Sequence, residues 1–289
     1  MNYHSIQELI DAAEKEKTSI SEIVIRDQME ELECSREALL QRMEKRFSVM
    51  QDSVKAGMAP DLRSTSGLTG GEASKMNAYA EKGGILGPFF NHAVARAVAV
   101  SEYNAAMGRI VAAPTAGSCG ILPGVLVSML EEGKASREAC VKSLFTSAGI
   151  GIIIAEKASL AGAQGGCQAE CGSACGMAAA ALTELCGGTP AQAGHACAIA
   201  LQAQLGLVCD PVAGLVEIPC IKRNASGTTL AFMAAEMALS GVIFEIPVDQ
   251  VIDAMKEVGD SLPCSLRETA MGGLAATPEG RRLARQVFS

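Results

Sequence analysis

From Val125 onward the chain is written in Ala, Leu, Ile and Met, broken by Gly and Pro. It shows almost none of the period-two alternation, or the β-branched and aromatic runs, that strands need. That text constrains the fold more than any other feature. Its side chains suit helices that approach closely, and the composition agrees: 49% of residues are hydrophobic, only 3% are aromatic and Trp is absent. The expected fold class is mainly α, with Gly/Pro-rich loops between the helices. VEIP (216–219) and VIFEIPV (242–248) are the best short-strand candidates.

The length of 289 residues allows one large domain or two small ones, with an ample core. Charge divides it unevenly. Residues 1–50 carry 18 of the 56 charged side chains, which marks 1–56 as a charged helical arm and 57–289 as a less charged helical body. Ser5 with Glu8 and Ser19 with Glu22 fit capping boxes at helix starts. A third helix is expected from Ser35 to about Ala56, with Leu39, Leu40, Met43 and Phe47 as its apolar stripe. Two loops rich in small residues follow, GMAPDLRSTSGLTGGEASK and RIVAAPTAGSCGILPG, on either side of a helix over FFNHAVARAVAVSEYNAAMG.

A net charge of −8 argues against nucleic acid or an anionic membrane surface as partner. The opening residues lack an apolar stretch of signal-peptide length. The longest uncharged span, 185–209, holds Gly, Pro, Gln and His195, and suits a buried helix better than a membrane helix. A soluble cytoplasmic protein is expected. There, eleven cysteines would stay reduced, which brings metal binding and catalysis forward beside simple packing.

Three thiols stand four residues apart in GAQGGCQAECGSACGMAAAAL: Cys167, Cys171 and Cys175. Neighbours at that spacing share a helix face. No CxxC pair occurs, so zinc-ribbon and ferredoxin patterns are absent. Spacing alone leaves packing and metal binding evenly matched. Context separates the three. Cys167 follows GAQGG, whose glycines permit close approach of a bulky group, while Cys171 and Cys175 run into Ala-rich helical text. Cys209 ends the apolar helical text HACAIALQAQLGLVC, before the stop Asp210–Pro211, and Cys220 follows Pro219. Cys140, Cys186 and Cys197 lie within apolar helices.

These segments carry a resemblance. GAQGGCQAECGSACGMAAAAL, APTAGSCGILPGVL and LGLVCDPVAGLVEIPCIKRNA are similar to the α chain of the iron–sulfur-dependent L-serine dehydratases, from about Ser64 to the C-terminus. The resemblance implies a helical body around a [4Fe–4S] cluster held by Cys167, Cys209 and Cys220, with Cys171 and Cys175 filling space. It implies L-serine as substrate, a separate regulatory β chain as partner, and an open question over a potassium ion. Three thiolates on four irons leave one iron open as a Lewis acid, so that water can be eliminated from serine to give pyruvate and ammonia. Some single-chain relatives end in a cysteine able to occupy that iron; this chain ends RQVFS, and its last cysteine is Cys264.

The general base is not legible. His92 and Lys75 are candidates, each more commonly a surface or hydrogen-bonded residue, and the partner chain is another source. Ser66 and Thr69 in STSGLTGG, and Thr115 and Ser118 in PTAGS, offer hydroxyls for a small carboxylate, or form ordinary turns. Lys222 and Arg223 would steer an anion or sit at the surface. Three rival readings remain: a pyridoxal-phosphate lyase using Lys75 in ASKMNAYA, an iron–sulfur redox or sensor protein, and a helical protein with buried thiols and no cofactor.

Overall fold

The computed structural model describes all residues, Met1–Ser289. Thirteen α-helices account for the architecture and no strand forms. In chain order they are α1 (Ile6–Lys15), α2 (Ile20–Glu31), α3 (Arg36–Gly57), α4 (Glu72–Ala80), α5 (Gly87–Ala105), α6 (Ile121–Glu131), α7 (Arg137–Lys157), the single turn α8 (Gly162–Gly165), α9 (Ser173–Leu185), α10 (Pro190–Gln202), α11 (Cys220–Leu239), α12 (Val248–Ser261) and α13 (Pro278–Phe288).

The first three helices start where the sequence places them. Ser5, Ser19 and Ser35 are N-caps whose hydroxyls accept from the backbone N–H three residues on. The reciprocal half of the box is not made. Glu8 takes the N–H of His4 instead, and Glu22 turns to Arg36. The apolar faces of α1–α3, with Ile6, Leu9, Ile23, Val24, Phe47 and Met50, enter the same core as the later helices.

The centre of that core is α9. Every residue from Ser173 to Thr183 is buried, on all sides of the helix, with α6, α7, α10 and α11 packed around it. Ala and Gly make this possible. A Cβ at Gly176 would come within 3.0 Å of the Cys197 sulfur on α10, and one at Gly124 within 2.9 Å of Ala97 on α5. Such small side chains contribute little transfer energy each. Cohesion therefore comes from dense dispersion contact between closely spaced backbones. One helix, α7, is long and apolar enough to cross a bilayer, and two-thirds of its most apolar window is buried inside the fold.

The two strand candidates are corrected. Residues 216–219 form a bend and turn leading into α11, and 242–248 an irregular link into α12. Each has a proline, Pro219 or Pro247, at the start of the following helix. Neither run finds a partner strand, so turn chemistry prevails over β propensity. The apolar helix expected to reach Cys209 also ends earlier, at Gln202, and Gly206 at φ +82° turns the chain away.

Candidate metal centre

Cys167 stands between the single turn α8 and a π-turn, Gln168–Gly172, that opens directly into α9. Gly166, at φ +75°, makes the approach possible: a Cβ there would strike Leu262 at 2.6 Å and the Leu207 carbonyl at 2.8 Å. The π-turn is fixed by Gln168. Its amide nitrogen donates to the Met255 carbonyl of α12 at 2.8 Å, and its amide oxygen accepts from Gly206 N–H at 2.9 Å. Inserted π-turns of this kind shift the register of the side chains that follow. Here the wider turn leaves the Cys167 and Cys171 sulfurs 3.4 Å apart, while Cys175 faces the Gly227 carbonyl of α11 instead, at 3.2 Å. Cys175 is thus a packing residue within the core, as its Ala-rich context suggests. Cys171 is buried too, but it touches the site.

Cys209 lies on an extended stretch laced to the segment before α13. Its N–H donates to the Leu266 carbonyl at 2.9 Å and its carbonyl accepts from Glu268 N–H at 2.8 Å. Cys220 is the first residue of α11. The buried Asn224, one turn on, ties that helix start to the PTAGS loop: its amide donates to the Cys220 and Gly117 carbonyls and accepts from Gly120 N–H at 2.8 Å.

Three separated loops thereby bring Cys167, Cys209 and Cys220 into one neighbourhood, all buried and none in a disulfide. Burial pushes the Cys220 thiol up to about 12 and the Cys209 thiol well above its ordinary value, and in both the charge of Cys167 adds to the effect. Cys167 moves the other way. A hydrogen bond from the Cys171 thiol is the largest cause, and the nearby Arg223 guanidinium favours the thiolate further. Arg223 is itself fixed, donating to Asp210 at 2.8 Å and to the Val208 carbonyl at 2.8 Å. Asp210 also accepts from Leu274 N–H at 2.7 Å. Arg223 is therefore committed to the site rather than free at the surface, whereas Lys222 pairs with Glu72 at 2.6 Å.

Two carboxylates that the sequence reading did not single out organise the remainder. Glu170, on the π-turn, accepts from Thr115 Oγ1 at 2.8 Å and lies 3.8 Å from the Cys209 sulfur; burial raises its pKa. Glu217, in the turn before Cys220, accepts from Ser66 at 3.0 Å and Thr69 at 2.8 Å. Ser118 bonds Thr115, closing the turn on itself. The hydroxyls of Ser66, Thr69 and Thr115 are thus turned to protein carboxylates rather than left free for a substrate carboxylate. The only signal for Glu170 was its place between Cys167 and Cys171.

The two base candidates stand apart from this group in their bonding. His92, on α5, bonds Asn77 at 2.9 Å and faces Glu81 at 3.5 Å, both from the α4 region. Lys75, on α4, is exposed. Neither shares a partner with the cysteines.

The donor set suits a thiophilic metal group. No three Cys, His, Asp or Glu side chains converge on a single-ion position. The site is closely packed at two glycines: a Cβ at Gly162 would fall 2.9 Å from the Cys209 sulfur and 2.7 Å from Glu170, and one at Gly117 3.0 Å from Glu170.

The profile of the serine dehydratase alpha chain family matches residues 15–275. The probable L-serine dehydratase alpha chain of Bacillus subtilis (strain 168) is 50% identical over 287 residues, covering 99% of this chain and 95% of that one. The L-serine dehydratase alpha chain of Peptoniphilus asaccharolyticus is 43% identical over 286 residues, covering 99% and 98%. Escherichia coli L-serine dehydratase 1 is 46% identical over 181 residues, 62% of this chain and 40% of that protein. Dehydratases are lyases, and the names of these relatives give that class. The chain belongs to the serine dehydratase alpha chain family. The likeness extends past Ser64 into the charged N-terminal helices, further than the motifs alone had indicated.

Proposed function

We propose that this chain is the α chain of an iron–sulfur L-serine dehydratase that converts L-serine to pyruvate and ammonia in the cytoplasm, assembled with a separate β chain. The observation that carries the reading is the meeting of Cys167, Cys209 and Cys220, from three distant loops, as buried free thiols within reach of one another's charge. The names of the relatives supply the substrate, and "alpha chain" in two of them supplies the partner.

Cys167, Cys209 and Cys220 would hold a [4Fe–4S] cluster. When bound, such a cluster supplies an open iron, a Lewis acid that eases loss of hydroxide in β-elimination. The protein's part is positional and electrostatic. Burial disfavours thiolates, so ligation needs compensating positive charge. Arg223 supplies some of it, held in place by Asp210. Asn224 keeps the PTAGS loop against the start of α11. Glycine at 162 lets the backbone lie close to the Cys209 sulfur and Glu170, and glycine at 117 does the same for Glu170. The role of base stays with a group that reaches the substrate Cα; His92, Lys75 and residues of the β chain remain the proposals to test.

The test is an oxygen-free preparation, with and without the co-expressed β chain, assayed for iron, acid-labile sulfide and pyruvate formed from L-serine. Iron with serine-dependent pyruvate supports the reading. Covalent fixation of a cofactor to Lys75 by borohydride, without iron, would overturn it.

A further inference from the structure

We infer that Glu217 is a specificity-determining residue that receives the α-ammonium group of the substrate, an inference that rests on the amino-acid lyase reading above. Glu217 is 4% exposed. Both bonds it accepts fall on one oxygen: Ser66 Oγ at 3.0 Å and Thr69 Oγ1 at 2.8 Å converge on Oε2. Its other oxygen, Oε1, takes no hydrogen bond from the protein, yet it is not among the buried polar atoms left without a partner. It therefore reaches open space. That space is a cavity of about 630 Å³ lined by Glu217 with Thr65, Ser66, Asn104, Ala116 and Gly214.

Charge decides what belongs there. No Lys, Arg or His lines this cavity, and the ion pairs of the neighbourhood, Arg223 with Asp210 and Lys222 with Glu72, leave Glu217 out. Two neutral hydroxyls orient a carboxylate but do not neutralise it, so Oε1 presents a negative charge to the cavity. A primary ammonium supplies both the charge and the donors. The segments that line the cavity also lead to residues of the cysteine centre. Glu217 is three residues before Cys220, and Ala116 adjoins Thr115, which bonds Glu170 beside Cys209. A small amino acid would be held there by its ammonium at Oε1. A hydroxy acid of the same size would leave Oε1 unpaired, so Glu217 selects amino acids over hydroxy acids.

The test compares the wild-type holoenzyme with Glu217→Gln, a change that keeps an acceptor for Ser66 and Thr69 and removes the charge. The readouts are KM and kcat for L-serine, iron per chain, and inhibition by 3-hydroxypropionate, which lacks the amine. The expected result is a KM raised about 10- to 100-fold, kcat within a few-fold, iron unchanged, and loss of the wild-type preference for serine over 3-hydroxypropionate. An unchanged KM with iron retained overturns the inference, and so does loss of iron or helicity, which would make Glu217 a structural anchor of the 64–71 loop. A wild-type holoenzyme that holds iron but ignores L-serine would instead sink the functional reading itself, which keeps the two failures distinct.

Discussion

Cys167 and Cys175 are eight residues apart in one small-residue run, and the structure gives them opposite surroundings. Cys175 is a core thiol against the Gly227 carbonyl, and burial holds it neutral. Cys175→Ala is expected to lower stability by about 1–2 kcal/mol in urea unfolding while iron content stays at the wild-type level. Arg223 and Asp210 form the buried ion pair nearest the thiols, with side-chain exposures of 15% and 4%. Arg223→Leu strands the Asp210 carboxylate, so a loss of about 3 kcal/mol is expected, together with poorer iron loading because positive charge beside Cys167 is gone. Full stability and full iron content in that variant would remove Arg223 from the account. The cysteines were legible in sequence because their loops carry long, specific motifs. Glu170, Glu217 and Asn224 were not, since a lone Glu or Asn has no local signature. Their meaning comes from partners far along the chain, 148 residues away for Thr69 and Glu217.

Among the elements, helix starts were the most readable feature, because a cap is a local interaction between residues three apart. Boundaries set by distant packing were not. The π-turn before α9 is held by Gln168 against α12, and the stretch after α10 is laced at Cys209 to the 264–268 segment. The strand candidates failed for the same reason: alternation over four to seven residues needs a partner that the tertiary fold does not supply. Two predictions belong to elements. At Gly57 on α3, a Cβ would come within 1.9 Å of the Ala99 carbonyl on α5. Gly57→Ala must therefore separate the two helices, and a loss of about 3 kcal/mol is expected in urea unfolding. Glu22 joins α2 to α3 through Arg36, and to α7 through Lys142 at 3.4 Å. The Arg36 hydrogen bond is the largest cause of its lowered pKa. A depressed folded-state pKa means that this stabilisation is fully present above the ordinary glutamate value. It is lost as pH falls through the lower folded value. Glu22→Gln should thus be less stable than wild type at pH 7, and the difference should vanish in acid. A gap independent of pH would contradict the assignment.

For the whole molecule, composition alone indicated a helical body of closely spaced backbones, and the absence of strands agrees. Its centre is a helix buried on every side, α9, and the π-turn at that helix's start carries the site. Core and cysteine centre are therefore continuous, and Gln168, next to Cys167, ties that turn to α12 and to the Gly206 turn. The three proposed ligands come from a loop before α9, a bridge to the C-terminal segment and the start of α11, so the cluster would also cross-link elements far apart in sequence. Chelation of iron should accordingly lower the unfolding midpoint as well as activity, because a group that binds only the folded state stabilises it.

The central claim is that these three cysteines, and not Cys171 or Cys175, hold the metal. It is tested most directly by counting iron and acid-labile sulfide in oxygen-free preparations of the wild type and of the single Ala variants at all five positions. The account predicts about four irons and four sulfides per chain in the wild type. It predicts cluster loss in Cys167→Ala, Cys209→Ala and Cys220→Ala, and retention in Cys171→Ala and Cys175→Ala. Iron retained in Cys220→Ala but lost from Cys171→Ala would contradict it.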